Sequence, residues 1–151
     1  MKTISLLAIL ILTTLAMAQE CQTGKYPDYQ CTPGAVLKVT QKEVCKKGYA
    51  KSVRDVKYAT KKEVLKKYGI KNYGKGRYEI DHLISLELGG SNDISNLWPE
   101  RAEPRPGFHE KDKVENYLHK EVCEGRMTLK EAQELIAHNW TDVYQKINNG
   151  P

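Results

Sequence analysis

Between Tyr78 and Glu100 the chain reads YEIDHLISLELGGSNDISNLWPE, and this stretch constrains the fold more than any other. A strand-like run from Arg77 to Ile84 carries Asp81 and His82, turns on Gly89-Gly90 and returns through Asn96 to Leu97-Trp98. Pro99 is expected to end the return strand early, because it has no N–H for a ladder. His109 to Cys123 then reads as a helix, with Val114, Leu118 and Val122 at four-residue steps turning one stripe inward. A purely structural hairpin has no need of a carboxylate, an imidazole and a carboxamide around its turn.

The flanking segments are simpler. Met1-Lys2, the apolar run Ile4 to Leu15 and the small-x-small site Ala16-Met17-Ala18 read as a cleavable signal peptide, residues 1–18. Its apolar core is too short to span a bilayer comfortably, and no later run approaches that length. Residues 19–151 are then expected to form a single domain. Gln19 to Pro33 reads as an irregular arm. Ala35 to Thr40 and Ser52 to Lys57 alternate like short strands. Thr60 and Glu63 form a capping box that opens a helix, and Gly69 stops it. Beyond Gly125, Thr128 and Glu131 cap another helix whose apolar face runs from Ala132 to Ile147.

Four cysteines, Cys21, Cys31, Cys45 and Cys123, suggest disulfides in an exported chain, secreted or periplasmic. Three pairings are possible and the sequence does not choose between them. The favoured set is Cys21–Cys31 as a local loop and Cys45–Cys123 as a tie between the two halves. No C-x-x-C pair occurs, which argues against a structural zinc site.

The net charge of +5 hides an asymmetry. Residues 42–77 carry thirteen Lys and Arg against three Asp and Glu, whereas residues 78–151 carry eight against fourteen. A lysine-rich segment beside an acidic one suggests a grip on a polyanion next to a cation-assisted site.

The hairpin residues followed by FHEKDKVENYLHKEVCEG resemble the His-Asn-His (HNH) nucleases, the ββα-metal family, and in particular small exported bacterial members. The lead-in Thr32-Pro33-Gly34, Gly48-Tyr49, Val53-Arg54 and Tyr68-Gly69 extends the resemblance over most of residues 19–151. It implies an α+β fold with a ββα-metal core, additional helices and a disulfide-tied N-terminal arm. It also implies a metal-dependent endonuclease that hydrolyses phosphodiester bonds, with DNA as the expected substrate and low sequence specificity. His82 would be the general base, a role that suits a neutral imidazole near pH 7. Asn96 would hold the turn and orient that base. Asp81 and His109 would hold a divalent ion, Mg²⁺ or Mn²⁺, with Asn116 as an alternative ligand. Glu79 and Lys113 are candidates for supporting the metal site or touching phosphate. Lys61, Lys62, Lys66 and Lys67 are candidates for holding substrate. Two rival readings are a secreted, disulfide-tied binding protein on a degenerate nuclease fold, and a ribonuclease of similar build.

Overall fold

The computed structural model of the protein describes residues 20–71, 73–74 and 76–149. It is α+β, with six helices and one two-stranded antiparallel sheet among the described residues. The expected leader, residues 1–18, lies outside them. Strand β1 (Tyr78–His82) pairs with β2 (Leu97–Arg101), setting Glu79 opposite Glu100, Asp81 opposite Trp98 and His82 opposite Leu97. β2 runs through Pro99 instead of stopping there. A strand with one free edge tolerates proline wherever the missing N–H would have pointed outward.

The connection between the strands is a folded loop and not a tight turn. Two 3₁₀ turns, Leu86–Leu88 and Ile94–Asn96, carry it, capped by the side chains of Ser85 and Asp93. Gly90 closes the loop against its own start, where a Cβ would lie 1.7 Å from the Ile84 carbonyl oxygen. Only glycine permits that approach.

Helices α1 (Gln41–Val44), α2 (Tyr49–Val53) and α3 (Tyr58–Lys67) precede the hairpin. Neither stretch expected to be a strand is one. Ala35 to Thr40 contributes a single bridge, Val36 to Gly90, while Ser52 and Val53 finish α2 and lead into an extended link. A few alternating valines do not make a strand without a partner edge to pair with. α3 also begins earlier than its apparent capping box. Lys57 is its N-cap and makes no side-chain capping bond, so Thr60 and Glu63 lie inside the helix.

After the hairpin come α4 (Phe108–Cys123), α5 (Leu129–His138) and α6 (Trp140–Asn149). Glu110 reaches back to accept from the Gly107 N–H at 2.9 Å, and Thr128 and Glu131 form the expected capping box on α5. The long apolar face expected from Ala132 to Ile147 is split at Asn139, whose carbonyl accepts from the N–H groups of Asp142 and Val143 and starts α6. The break lets Ile136 and Trp140 both turn into the core with Val114, Leu118 and Val122 of α4 and Leu83, Leu97 and Trp98 of the hairpin.

Both favoured disulfides are present, Cys21–Cys31 and Cys45–Cys123. The first closes the N-terminal arm. Hydrogen bonds from the Tyr29 hydroxyl to the Ala137 carbonyl and between the Thr32 and Tyr68 hydroxyls hold that arm against the body. The second joins the end of α1 to the end of α4. Two disulfides fit an extracellular or otherwise oxidising compartment. Among the described residues, no helix is long and apolar enough to cross a membrane.

Candidate functional site

Alternation along β1 puts Glu79 and Asp81 on one face and Ile80 and His82 on the other. α4 meets the Asp81 face through a lysine. Lys111 is wholly buried, and its ammonium donates to Asp81 Oδ2 at 2.7 Å, to Glu115 Oε1 at 2.6 Å and to the His82 carbonyl at 2.9 Å. Glu100 Oε2 lies 3.6 Å away. One cation is thus shared by three carboxylates. Burial alone would lower the Lys111 pKa, but Asp81, Glu115 and Glu100 outweigh it and keep the amine protonated. Burial would likewise raise Asp81, yet the Lys111 charge and hydrogen bond hold its carboxyl below the usual range. Burial pushes Glu115 up to about 7 and Glu100 well above the ordinary glutamate value.

His82 is buried at the strand end, and burial holds its imidazole below the ordinary histidine pKa against the raising effects of Asn92 and Asp81. Its Nε2 lies 3.1 Å from Asn92 Oδ1. The Asn92 amide has one orientation that suits its neighbours. Nδ2 donates to the Val53 carbonyl at 2.7 Å, and Oδ1 accepts from the Asp55 N–H at 3.2 Å. His82 therefore donates through Nε2, and Nδ1 carries the lone pair. The same carboxamide ties the imidazole to the segment around Arg54, whose charge acts on both His82 and Asp112.

Asn96 is fully buried and spends its side chain on the loop. Oδ1 accepts from the Ile84 N–H at 3.0 Å, while Nδ2 donates to the carbonyls of Ile84 and Ser91. These bonds tie the two ends of the loop together. The side chain hydrogen-bonded to His82 is Asn92, so orientation of the imidazole falls to a different asparagine.

On α4, His109, Asp112 and Asn116 form an exposed stripe. Desolvation and the charge of Asp81 raise the Asp112 carboxyl, and desolvation with the charges of Asp81 and Asp112 raises Glu79. Glu79 and Asp112 thus bring two further carboxyls close enough to Asp81 to feel its charge. This oxygen-rich set suits a hard divalent ion. Asp81 and His109 carry donors for it, and Asn116 keeps Oδ1 free because its Nδ2 is spent on the Asp112 carbonyl. Lys113 leans over the Tyr144 ring at 5.8 Å. Among the described residues, the one group of three or more His, Cys and acidic residues with ligand atoms drawn within 4.8 Å of one another is Cys45, His119 and Cys123, so Asp81 and His109 are not part of such a group. There the two sulfurs are bonded to each other, which leaves a single imidazole, and its Nε2 lies 3.0 Å from the Val44 carbonyl.

Of the four candidate lysines, Lys61, Lys62 and Lys66 line one groove with Lys71. Lys67 turns away and donates to the Cys31 carbonyl, so it braces the arm. The groups that sequence reasoning passed over are Lys111, Asn92, Arg54 and Glu100. A signal for Lys111 existed, since continuing the Val122, Leu118, Val114 stripe back one turn reaches Glu110 and Lys111. Nothing local marks Asn92, because its partners lie ten and about forty residues away. No protein-family model, curated protein or solved structure matches the chain.

Proposed function

We propose that the protein is an exported, divalent-metal-dependent nuclease of the HNH type that hydrolyses phosphodiester bonds in nucleic acid, DNA foremost, with low sequence specificity. The observation that carries this reading is a buried imidazole, His82, held by Asn92 in one tautomer at the end of β1 beside a cluster of carboxyls gathered around Asp81. That pairing supports base catalysis on a phosphate ester more than it supports a structural hairpin.

A divalent ion, when bound by Asp81 and a donor from the α4 stripe (His109, or Asn116 in its place), would neutralise the scissile phosphate and the departing oxygen. His82 Nδ1 takes the proton of the attacking water. As the water oxygen bonds to phosphorus, the bond from phosphorus to the 3′ oxygen breaks, and the departing oxygen takes a proton from solvent to leave as a 3′ hydroxyl. Lys111 holds Asp81 on one oxygen and the His82 carbonyl at the same time, which fixes the relative position of base and ligand. Asn96 keeps the loop closed, and Asn92 keeps the imidazole aimed.

One observation favours the binding-only alternative: an ammonium already sits 2.7 Å from Asp81 and meets part of the need for a cation. Digestion of plasmid DNA and of RNA with Mg²⁺ or Mn²⁺, with and without EDTA, separates the readings. The expected outcome is EDTA-sensitive cleavage that falls about a hundredfold or more in His82→Ala while nucleic-acid binding persists. Absence of metal-dependent cleavage of either substrate defeats the nuclease reading, and preference for RNA replaces DNA with RNA.

A further inference from the structure

Beside β1, on the face of α3, lies a groove of about 470 Å³ that the catalytic reading leaves unused. Its floor is apolar, made by Leu65 of α3, Ile70 and Ile80 of β1. Tyr58 and Tyr73 line it as well, and they are 73% and 46% exposed. A ring left that open gains little from packing within its own chain. Tyr58 is nonetheless positioned, because the Lys62 ammonium sits 5.0 Å from its ring centre. Lys61, Lys62, Lys66 and Lys71 complete the rim.

Lysines alone would grip any polyanion. Open aromatic rings set among them add a preference, because a ring can stack only on a base that has left its partner. Duplex nucleic acid turns phosphates outward and keeps its bases stacked inside, where Tyr58 and Tyr73 cannot reach them. Ile80, which lines the groove, shares its face of β1 with His82, and Lys61 lies close enough for its charge to act on Glu79.

We infer that this groove binds unpaired nucleotides, with bases stacked on Tyr58 and Tyr73 and phosphates held by Lys61, Lys62, Lys66 and Lys71, and delivers a single strand to β1. The inference rests on the nuclease reading for its purpose but not for its test. Fluorescence anisotropy in EDTA, where nothing is cut, would compare a labelled fifteen-residue oligo-dT, the matching oligo-U and a DNA hairpin duplex of equal phosphate number at one salt concentration. The parent should bind the single strands more tightly than the duplex, and the tighter of the two identifies the sugar. Tyr58→Ala and Tyr73→Ala should each weaken single-strand binding by about five- to a hundredfold and leave duplex binding within twofold. Lys66→Gln should weaken both and flatten the salt dependence. Equal losses on strand and duplex in the tyrosine variants, no loss on either, or a parent that prefers duplex would each overturn the groove. Both side chains are exposed, so circular dichroism should show both variants folded. If the tyrosine effect appears but no metal-dependent cleavage does, the groove stands and the nuclease reading fails. Cleavage without the tyrosine effect leaves the opposite result.

Discussion

His82 is positioned by a carboxamide that belongs to the opposite limb of its own loop. Asn92 accepts from Nε2 and is itself locked by Val53 and Asp55, so the free lone pair is on Nδ1. Asn92→Ala should release the tautomer. Nitrogen-15 NMR of the His82 ring should show Nε2 protonated and Nδ1 bare in the parent, and a mixture of both neutral forms in the variant. A merely structural asparagine would leave the ring signals unmoved while lowering the melting temperature. Asn92→Asp should restore the single tautomer and raise the imidazole pKa, because the acceptor then carries a charge. The family resemblance drew attention to Asp81, His82 and Asn96 at this scale, and the structure gives Asn96 a loop-holding role. Asn92 was illegible because nothing near it in sequence reveals the two backbone groups that orient it.

Between β1, β2 and α4 the contact is ionic at its centre, with Lys111 set among Asp81, Glu100 and Glu115. The folded-state pKa of Glu115 is raised from 4.5 to about 7, so the native protein holds a proton there that the unfolded chain has released. Stability should therefore fall as pH rises from about 4.5 to 7, and the raised Glu100 adds to the same slope. Glu115→Gln should flatten that part of the curve, as measured by urea unfolding at several pH values. A variant with the parent's slope would mean that Lys111 keeps Glu115 ionised throughout. Removing the lysine is a harsher change: Lys111→Met leaves buried carboxylates without their cation and should cost roughly 3–5 kcal/mol. Elements of this kind were partly legible. Helix α4 and the α5 cap followed from periodicity and capping chemistry. The split at Asn139 and the early start of α3 did not, because tertiary packing around α4 and the hairpin decided them.

Over the whole molecule, the two disulfides divide the work by the length of chain they close. Cys21–Cys31 spans ten positions and Cys45–Cys123 spans seventy-eight. In the chain-entropy model the longer link restricts the unfolded state by about 4–5 kcal/mol and the shorter by about 2.7 kcal/mol. Replacing Cys45 and Cys123 together with alanine should lower the denaturant midpoint more than replacing Cys21 and Cys31. Equal midpoints would show that strain or residual structure dominates. The long link has a second consequence. The basic groove, the hairpin and nearly all of α4 lie within the ring it closes, so one backbone cut anywhere between its cysteines leaves a single covalent molecule. Wherever proteases reach it in an oxidising compartment, a nicked copy of this protein would keep its pieces joined and lose them only when the bond is reduced.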